Sequence, residues 1–218
     1  MFGLMQDRPL LISSIIEHAA RHHGDTEIVS RTLEGPVHRY VYRDAHRRAQ
    51  QLANALTALG VHPGDRVATL AWNGYRHFEL YFAVSGMGAV LHTINPRLFP
   101  EQIRWIAEHA QDRVLCFDAC FLPLIEQLAP LLSSVQHFVV LAGEVPEQSK
   151  IKGLLAYETL VTAADSGFEW PQLDERSAAS LCYTSGTTGN PKGVLYSHRS
   201  TLLHAYGIAL PDTLNVSA

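Results

Sequence analysis

Three cysteines in 218 residues are too few, and odd in number, for a disulfide framework, so a reducing compartment is expected. No run approaches the roughly 18 uncharged apolar residues that a membrane-spanning helix needs. Met1 to Leu10 carries neither a basic leader nor a long apolar segment ending at a small-residue cleavage site, which argues against a secretory signal. Basic residues are not in excess either: 17 Lys and Arg against 21 Asp and Glu give a formal charge of −4. That balance supplies no basic field for nucleic acid, so any phosphate must be held locally. The expected location is the cytoplasm, with peripheral contact at the inner membrane left open.

Metal-site spacing is scarce as well. Among twelve histidines, His18 and His22 share one helical face, yet no acidic or thiolate residue completes an H-E-x-x-H arrangement, and they read as a solvated face. Cys116 and Cys120 lie a helical turn apart without a matching second pair, and read as buried thiols.

What the chain does have is apolar residues, 47% of the total, enough for a substantial core in one domain or a domain and a half. Apolar positions 11, 12, 15, 16 and 19 predict a helix over Leu10 to His23, and the β-rich runs Ile28 to Leu33 and Val37 to Tyr42 across Glu34-Gly35-Pro36 predict a hairpin. A second helix is expected over Asp44 to Leu59, closed by Gly60 and Pro63. These residues, 1–63, form a lead-in.

Over 64–176 a regular alternation follows. Short apolar runs at Arg66 to Ala71, Ala89 to Ile94, Arg113 to Phe117 and Gln136 to Leu141 start 23, 24 and 23 residues apart, with one helical pattern in each gap. Such gaps fit crossover helices and exceed hairpin loops, so the strands should be parallel and covered on both faces. The expected fold class is α/β, a doubly wound, largely parallel sheet with flanking helices. Asn73 is placed to cap the helix starting near Gly74, and Pro100 suits the first turn of the next. Trp72, Phe78, Tyr81, Phe82 and Trp105 read as core aromatics, with a substrate-pocket role as the minority view. Ala142 to Lys150 reads as a surface connection, Gly153 to Ala164 as a helix, and Asp165 to Arg176 as a second loop.

The region 177–218 holds the stretch with chemistry in it. Tyr183-Thr-Ser-Gly-Thr-Thr-Gly-Asn-Pro-Lys-Gly-Val194 packs five hydroxyls, three glycines and one lysine between two apolar runs, which reads as a polar loop between strands. Glycines let amide N–H groups converge on an anion, hydroxyls add donors, and Lys192 adds a mobile charge of the kind used on β- and γ-phosphates. A P-loop is excluded, because the lysine stands three places beyond Gly189, follows Pro191 and leads into a β-rich stretch. A solvated Ser/Thr/Gly loop is the bland alternative. His198, after Ser197 at a helix start, could lean toward a nucleotide or serve the structure.

The string resembles the phosphate-binding signature of the AMP-forming acyl-CoA synthetases, in the adenylate-forming superfamily. Gly64-Asp-Arg-Val-Ala-Thr-Leu-Ala-Trp-Asn73, Arg76-His77 and Gly86-Met-Gly-Ala-Val-Leu-His-Thr-Ile-Asn-Pro-Arg97 are similar to its medium- and long-chain fatty-acid branch. Ser85 departs from an expected proline and Phe99 from an expected capping serine. The resemblance implies part of the large N-terminal domain of an adenylate-forming enzyme, spanning residues 1–218, with the C-terminal domain outside it and no activity expected of these residues alone. It implies ATP, fatty acid and CoA as substrates, magnesium held by residues outside this chain, and a homodimer. It assigns phosphate contacts to Thr184, Ser185, Gly186, Thr187, Thr188 and Gly189, and the charged contact with departing pyrophosphate to Lys192. Two readings of other kinds stand beside it: a nucleotide-binding or dimerisation module without catalysis, and an aryl- or amino-acid-adenylating relative.

Overall fold

The computed structural model describes residues 1, 3–184 and 190–214. Helix α1, Ser13–His22, buries Ile16 and leaves His18 and His22 on solvent, their rings 4.6 Å apart. Strands β1, Glu27–Arg31, and β2, Val37–Val41, pair antiparallel as the expected hairpin, with Gly35 at φ +107° in the turn. Helix α2, Tyr42–Ala58, buries Ala45, Ala49, Leu52, Ala53 and Leu56. Its end is set by Gly60 at φ +80°, which lets Val61 donate back to the Leu56 carbonyl at 3.0 Å.

Four strands then alternate with helices as the 23-residue period predicts: β3 (Arg66–Leu70), α3 (Tyr75–Gly86), β4 (Val90–Thr93), α4 (Pro100–Ala110), β5 (Asp112–Phe117), α5 (Leu122–Leu128) and β6 (His137–Val140). A short strand β7, Leu155–Ala156, occupies the start of the helix expected from Gly153, so α6 covers only Tyr157–Ala163. Two residues carry too little pattern to announce a strand; pairing to β6 creates it. Then come β8 (Ala178–Thr184), β9 (Lys192–Ser197) and α7 (His198–Ala209).

Seven strands form one sheet in the order β7-β6-β5-β3-β4-β8-β9, parallel throughout except for the antiparallel β8–β9 pair. Alternation along each strand builds a core on each face. Val67, Leu91, Val114, Cys116 and Val139 meet α2, α3 and α6, whereas Ala68, Leu70, Leu115, Phe117 and Val140 meet α4 and α5. The fold is therefore doubly wound. Among the described residues no helix is long and apolar enough to cross a membrane.

Several local expectations change. Asn73 does not cap α3; the Tyr75 N–H donates instead to Ser30 Oγ at 3.0 Å, because the hairpin lies over that helix end. Pro100 does begin α4, and the phenyl at Phe99 cannot accept a bond, so Gln102 accepts the Phe99 N–H at 3.2 Å. Of the five aromatics read as core, Trp72 and Tyr81 are exposed and the other three are half-buried. Their spacing marked the faces that meet other elements but not depth, and the deepest positions are mainly aliphatic. Cys116 is buried, Cys120 is exposed and Cys182 is half-buried; Cys116 and Cys120 are not a helical turn apart, since the first lies on β5.

A polar network that spacing could not reveal ties the lead-in to the sheet. Arg48 forks onto Glu79 and reaches Glu158 at 2.9 Å, Arg76 bonds Glu158 and Glu34 at 2.8 Å, and the Tyr75 and Tyr157 hydroxyls donate to Glu158 and Glu79. These groups come from α2, α3, α6 and the hairpin turn. Each carboxylate gains donors that repay part of its desolvation.

Candidate functional site

Because β8 runs parallel to β4, Thr184 leaves the sheet at its carboxyl edge, where β3 and β5 also end. The chain returns antiparallel as β9 from Lys192. Thr184 and Lys192 therefore stand where open α/β sheets receive ligands, close to the point where β4 and β5 flank β3 on opposite sides.

Two of the seven proposed contact residues fall within the described structure, and it brings them together. Thr184 and Lys192 face each other as the last rung of the β8–β9 ladder, and both are exposed. The Thr184 hydroxyl lies 3.5 Å from the Lys192 carbonyl, at the outer limit of hydrogen bonding, so it remains available to another acceptor. Ser185, Gly186, Thr187, Thr188 and Gly189 lie outside the described residues. A hydroxyl and an ammonium on one rung form a donor pair suited to a phosphate oxygen.

One rung further in, Tyr183 pairs with Gly193. The Tyr183 hydroxyl sits 2.6 Å from His109 Nδ1 on α4, and its ring lies edge-on to Trp105 and 5.2 Å from the His92 ring. Beneath it His92 Nδ1 is 2.8 Å from both Asp112 oxygens, with both side chains fully buried. Burial pushes the Tyr183 hydroxyl above its ordinary pKa, and the Asp112 charge adds to that. Sequence reading missed these partners. The available signal was an aromatic facing a glycine across two strands, legible only once the register is known.

On the opposite face of β3 and β4, Thr69 Oγ1 is 3.0 Å from His77 Nε2, and His77 Nδ1 is 3.3 Å from the Trp72 carbonyl. A carbonyl only accepts, so Nδ1 carries the proton and Nε2 accepts a hydrogen bond from the Thr69 hydroxyl. Burial holds His77 below the usual histidine range, keeping the ring neutral. His77, Phe78, Tyr81, Ile28 and Ser30 line an open cavity of about 410 Å³ between the hairpin and α3.

Ser197 caps α7 by accepting the Ser200 N–H at 3.1 Å, as the sequence suggested. His198 takes the structural role of the two left open. It is fully buried, and its Nδ1 accepts the Ile12 N–H at 3.2 Å, joining α7 to the segment before α1. Ser85, in the place of an expected proline, donates to the Ala179 carbonyl at 2.8 Å and so fastens α3 to β8.

Comparison with known proteins gives this geometry a context. The family profile described as "AMP-binding enzyme" matches residues 16–217. The chain is 53% identical over its whole length to a 3-methylmercaptopropionyl-CoA ligase of Ruegeria pomeroyi, covering 41% of that protein. It is 52% identical, again over its whole length, to a medium-chain-fatty-acid–CoA ligase of Ectopseudomonas oleovorans, covering 40% of it. A solved anthranilate CoA ligase, in complex with anthranoyl-AMP, superposes over 93% of this chain and 38% of its own, with a TM-score of 0.82 and 28% identity. The chain thus spans about two-fifths of the length of the curated relatives it matches.

Proposed function

The chain belongs to the AMP-binding enzyme family, and from that premise we propose that it forms part of an ATP-dependent ligase that activates a medium- or long-chain fatty acid and joins it to CoA. The observation that carries the reading is the Thr184–Lys192 rung at the carboxyl edge of the sheet.

In the first half-reaction a carboxylate oxygen attacks the α-phosphorus of ATP. The bond from that phosphorus to the bridging oxygen breaks, and pyrophosphate leaves with the electron pair. Charge grows on the departing β- and γ-phosphates, and donors aimed at it lower the barrier. Lys192 supplies a full positive charge there and Thr184 a hydroxyl, with Ser185, Gly186, Thr187, Thr188 and Gly189 as further donors in the same proposal. Removing one such donor costs about 3 kcal/mol of transition-state stabilisation. In the second half-reaction the CoA thiol attacks the acyl carbonyl, gives up its proton, and displaces AMP.

Magnesium is the expected companion of ATP. The described donors at this rung, hydroxyl and ammonium, suit phosphate rather than a hard cation, and no residue of this chain is assigned to the metal. A homodimer, and a cytoplasmic place with peripheral membrane contact, belong to the same reading.

A full ligase containing this chain should turn ATP over continuously to AMP and pyrophosphate only when acid and CoA are both supplied, and the 218 residues alone should not exchange pyrophosphate into ATP. Release of ADP and phosphate by the full ligase would overturn the reaction class. The similarity to an anthranilate ligase favours a second reading, an aryl acid as substrate. A panel of alkanoic and aryl acids separates the two by relative kcat/KM.

A further inference from the structure

Strand β9 is the edge of the sheet, paired to β8 alone, and its residues 192–196 are exposed. An exposed edge strand held from one side is a poor support for a charge that must meet a leaving group within a fraction of an ångström. Glycine at 193 removes one more side chain from that strand. The Tyr183 ring compensates. A Cβ built on Gly193 would stand 3.1 Å from Tyr183 Cζ, 3.2 Å from Leu181 Cδ1 and 3.3 Å from the Tyr183 hydroxyl oxygen, so the ring lies against the glycine backbone with Leu181 beside it.

That ring is itself fixed from three other elements. His109 on α4 bonds its hydroxyl, and Trp105, stacked on His109 at 4.6 Å, stands perpendicular to the ring. From β4, His92 packs beside it, and Asp112 on β5 holds His92 through both oxygens. Burying a histidine–carboxylate pair is costly and gains little net stability, which suits a device for placing a side chain rather than for holding the fold together.

We propose that Tyr183 is the positioning residue for Lys192: by seating Gly193 on a ring anchored to α4 and to the Asp112–His92 pair, it fixes the adjacent Thr184–Lys192 rung for catalysis. The inference rests on the reading above, in which Lys192 meets departing pyrophosphate. Tyr183 acts through its neighbour and needs no contact of its own with substrate.

The test uses the full ligase with Tyr183→Ala, Tyr183→Phe, Lys192→Ala and the double variant. Two rates are followed: acid-dependent exchange of pyrophosphate into ATP, and thioester formation from supplied acyl-AMP and CoA. Tyr183→Ala should slow exchange by up to about 100-fold, as a displacement of about an ångström does, and leave thioester formation near the parent rate. Tyr183→Phe keeps the ring and should stay within about fivefold of the parent. The double variant should exchange no more slowly than Lys192→Ala alone, because the two residues act as one unit. Should Tyr183→Ala not fold, Gly193→Ala takes its place, its methyl pressing on the ring and on Leu181, and should slow exchange in the same selective way.

A parental exchange rate in Tyr183→Ala or its Gly193→Ala substitute, equal loss in both steps, or additive losses in the double variant would each overturn the positioning role. If Lys192→Ala itself exchanged at the parent rate, the underlying reading of the rung would fail instead, which keeps the two failures apart.

Discussion

Arg48 meets Glu79 as a two-pronged fork, Nε to Oε1 at 2.8 Å and Nη2 to Oε2 at 3.1 Å, with the Glu79 side chain wholly out of solvent. The pair joins α2 to α3, and Tyr157 from α6 donates to the same carboxylate at 2.7 Å. Replacing only Arg48 would leave a buried carboxylate short of its counter-charge. Arg48→Met should therefore cost about 3–5 kcal/mol in denaturant unfolding, and the paired change Arg48→Met with Glu79→Leu should recover most of it. A single-variant loss below about 1 kcal/mol would show that the fork does not matter to the fold.

Glu158 gives the acid limb of stability a specific origin. Burial alone would raise its pKa, but hydrogen bonds from Tyr75 and Arg76, with the Arg48 charge, outweigh burial and hold it below the ordinary carboxylate range. A depressed carboxylate stabilises the fold above its unfolded pKa and loses that contribution as pH falls through the folded value. Melting temperature should thus drop as pH falls below about 4.5, and Glu158→Gln should melt lower at neutral pH while losing less on acidification. An unchanged acid slope in that variant would contradict the assignment.

His198 has the same sign for a different reason. Burial keeps its imidazole below the usual histidine range, so protonation favours the unfolded chain as pH falls from about 6.5. His198→Asn offers an oxygen near the place of Nδ1 for the Ile12 N–H and cannot be protonated. Its stability should change less than the parent's between pH 7.5 and 5.5, read by thermal unfolding; an identical slope would remove His198 as a source.

Much of this molecule was legible before any coordinates. The 23-residue spacing from Arg66 to Gln136 announced parallel strands with crossover helices, because continuous apolar runs at that interval have few other solutions. Gly60 and Pro100 marked helix ends through backbone chemistry that acts within a few residues. What stayed hidden depends on contacts far apart in the chain. Ser30 supplants Asn73 as the cap of α3 from 45 positions away, and Arg48 finds Glu158 across 110. The strands on either side of the polar stretch, β8 and β9, were evident from composition, whereas the seat of Tyr183 on Gly193 required the strand register.

Gly86 shows a local rule overruled by packing. Alanine normally improves a helix over glycine by up to about 1 kcal/mol, but a Cβ here would come within 2.6 Å of the Trp170 ring. That ring is held by His46 and Phe168, so the clash should win, with Gly86→Ala destabilising by about 1–3 kcal/mol. Trp170→Leu in the same chain should relieve most of the penalty; an additive loss would contradict the clash.

Lys192 is the most directly testable residue of the rung, and the measurement is pyrophosphate exchange by the full ligase carrying Lys192→Ala, set beside its thioester formation from supplied acyl-AMP. Exchange slowed by roughly 100-fold or more with the second step intact is the expected result. Equal loss in both steps, or none in exchange, would contradict the assignment of this rung to the tail of ATP.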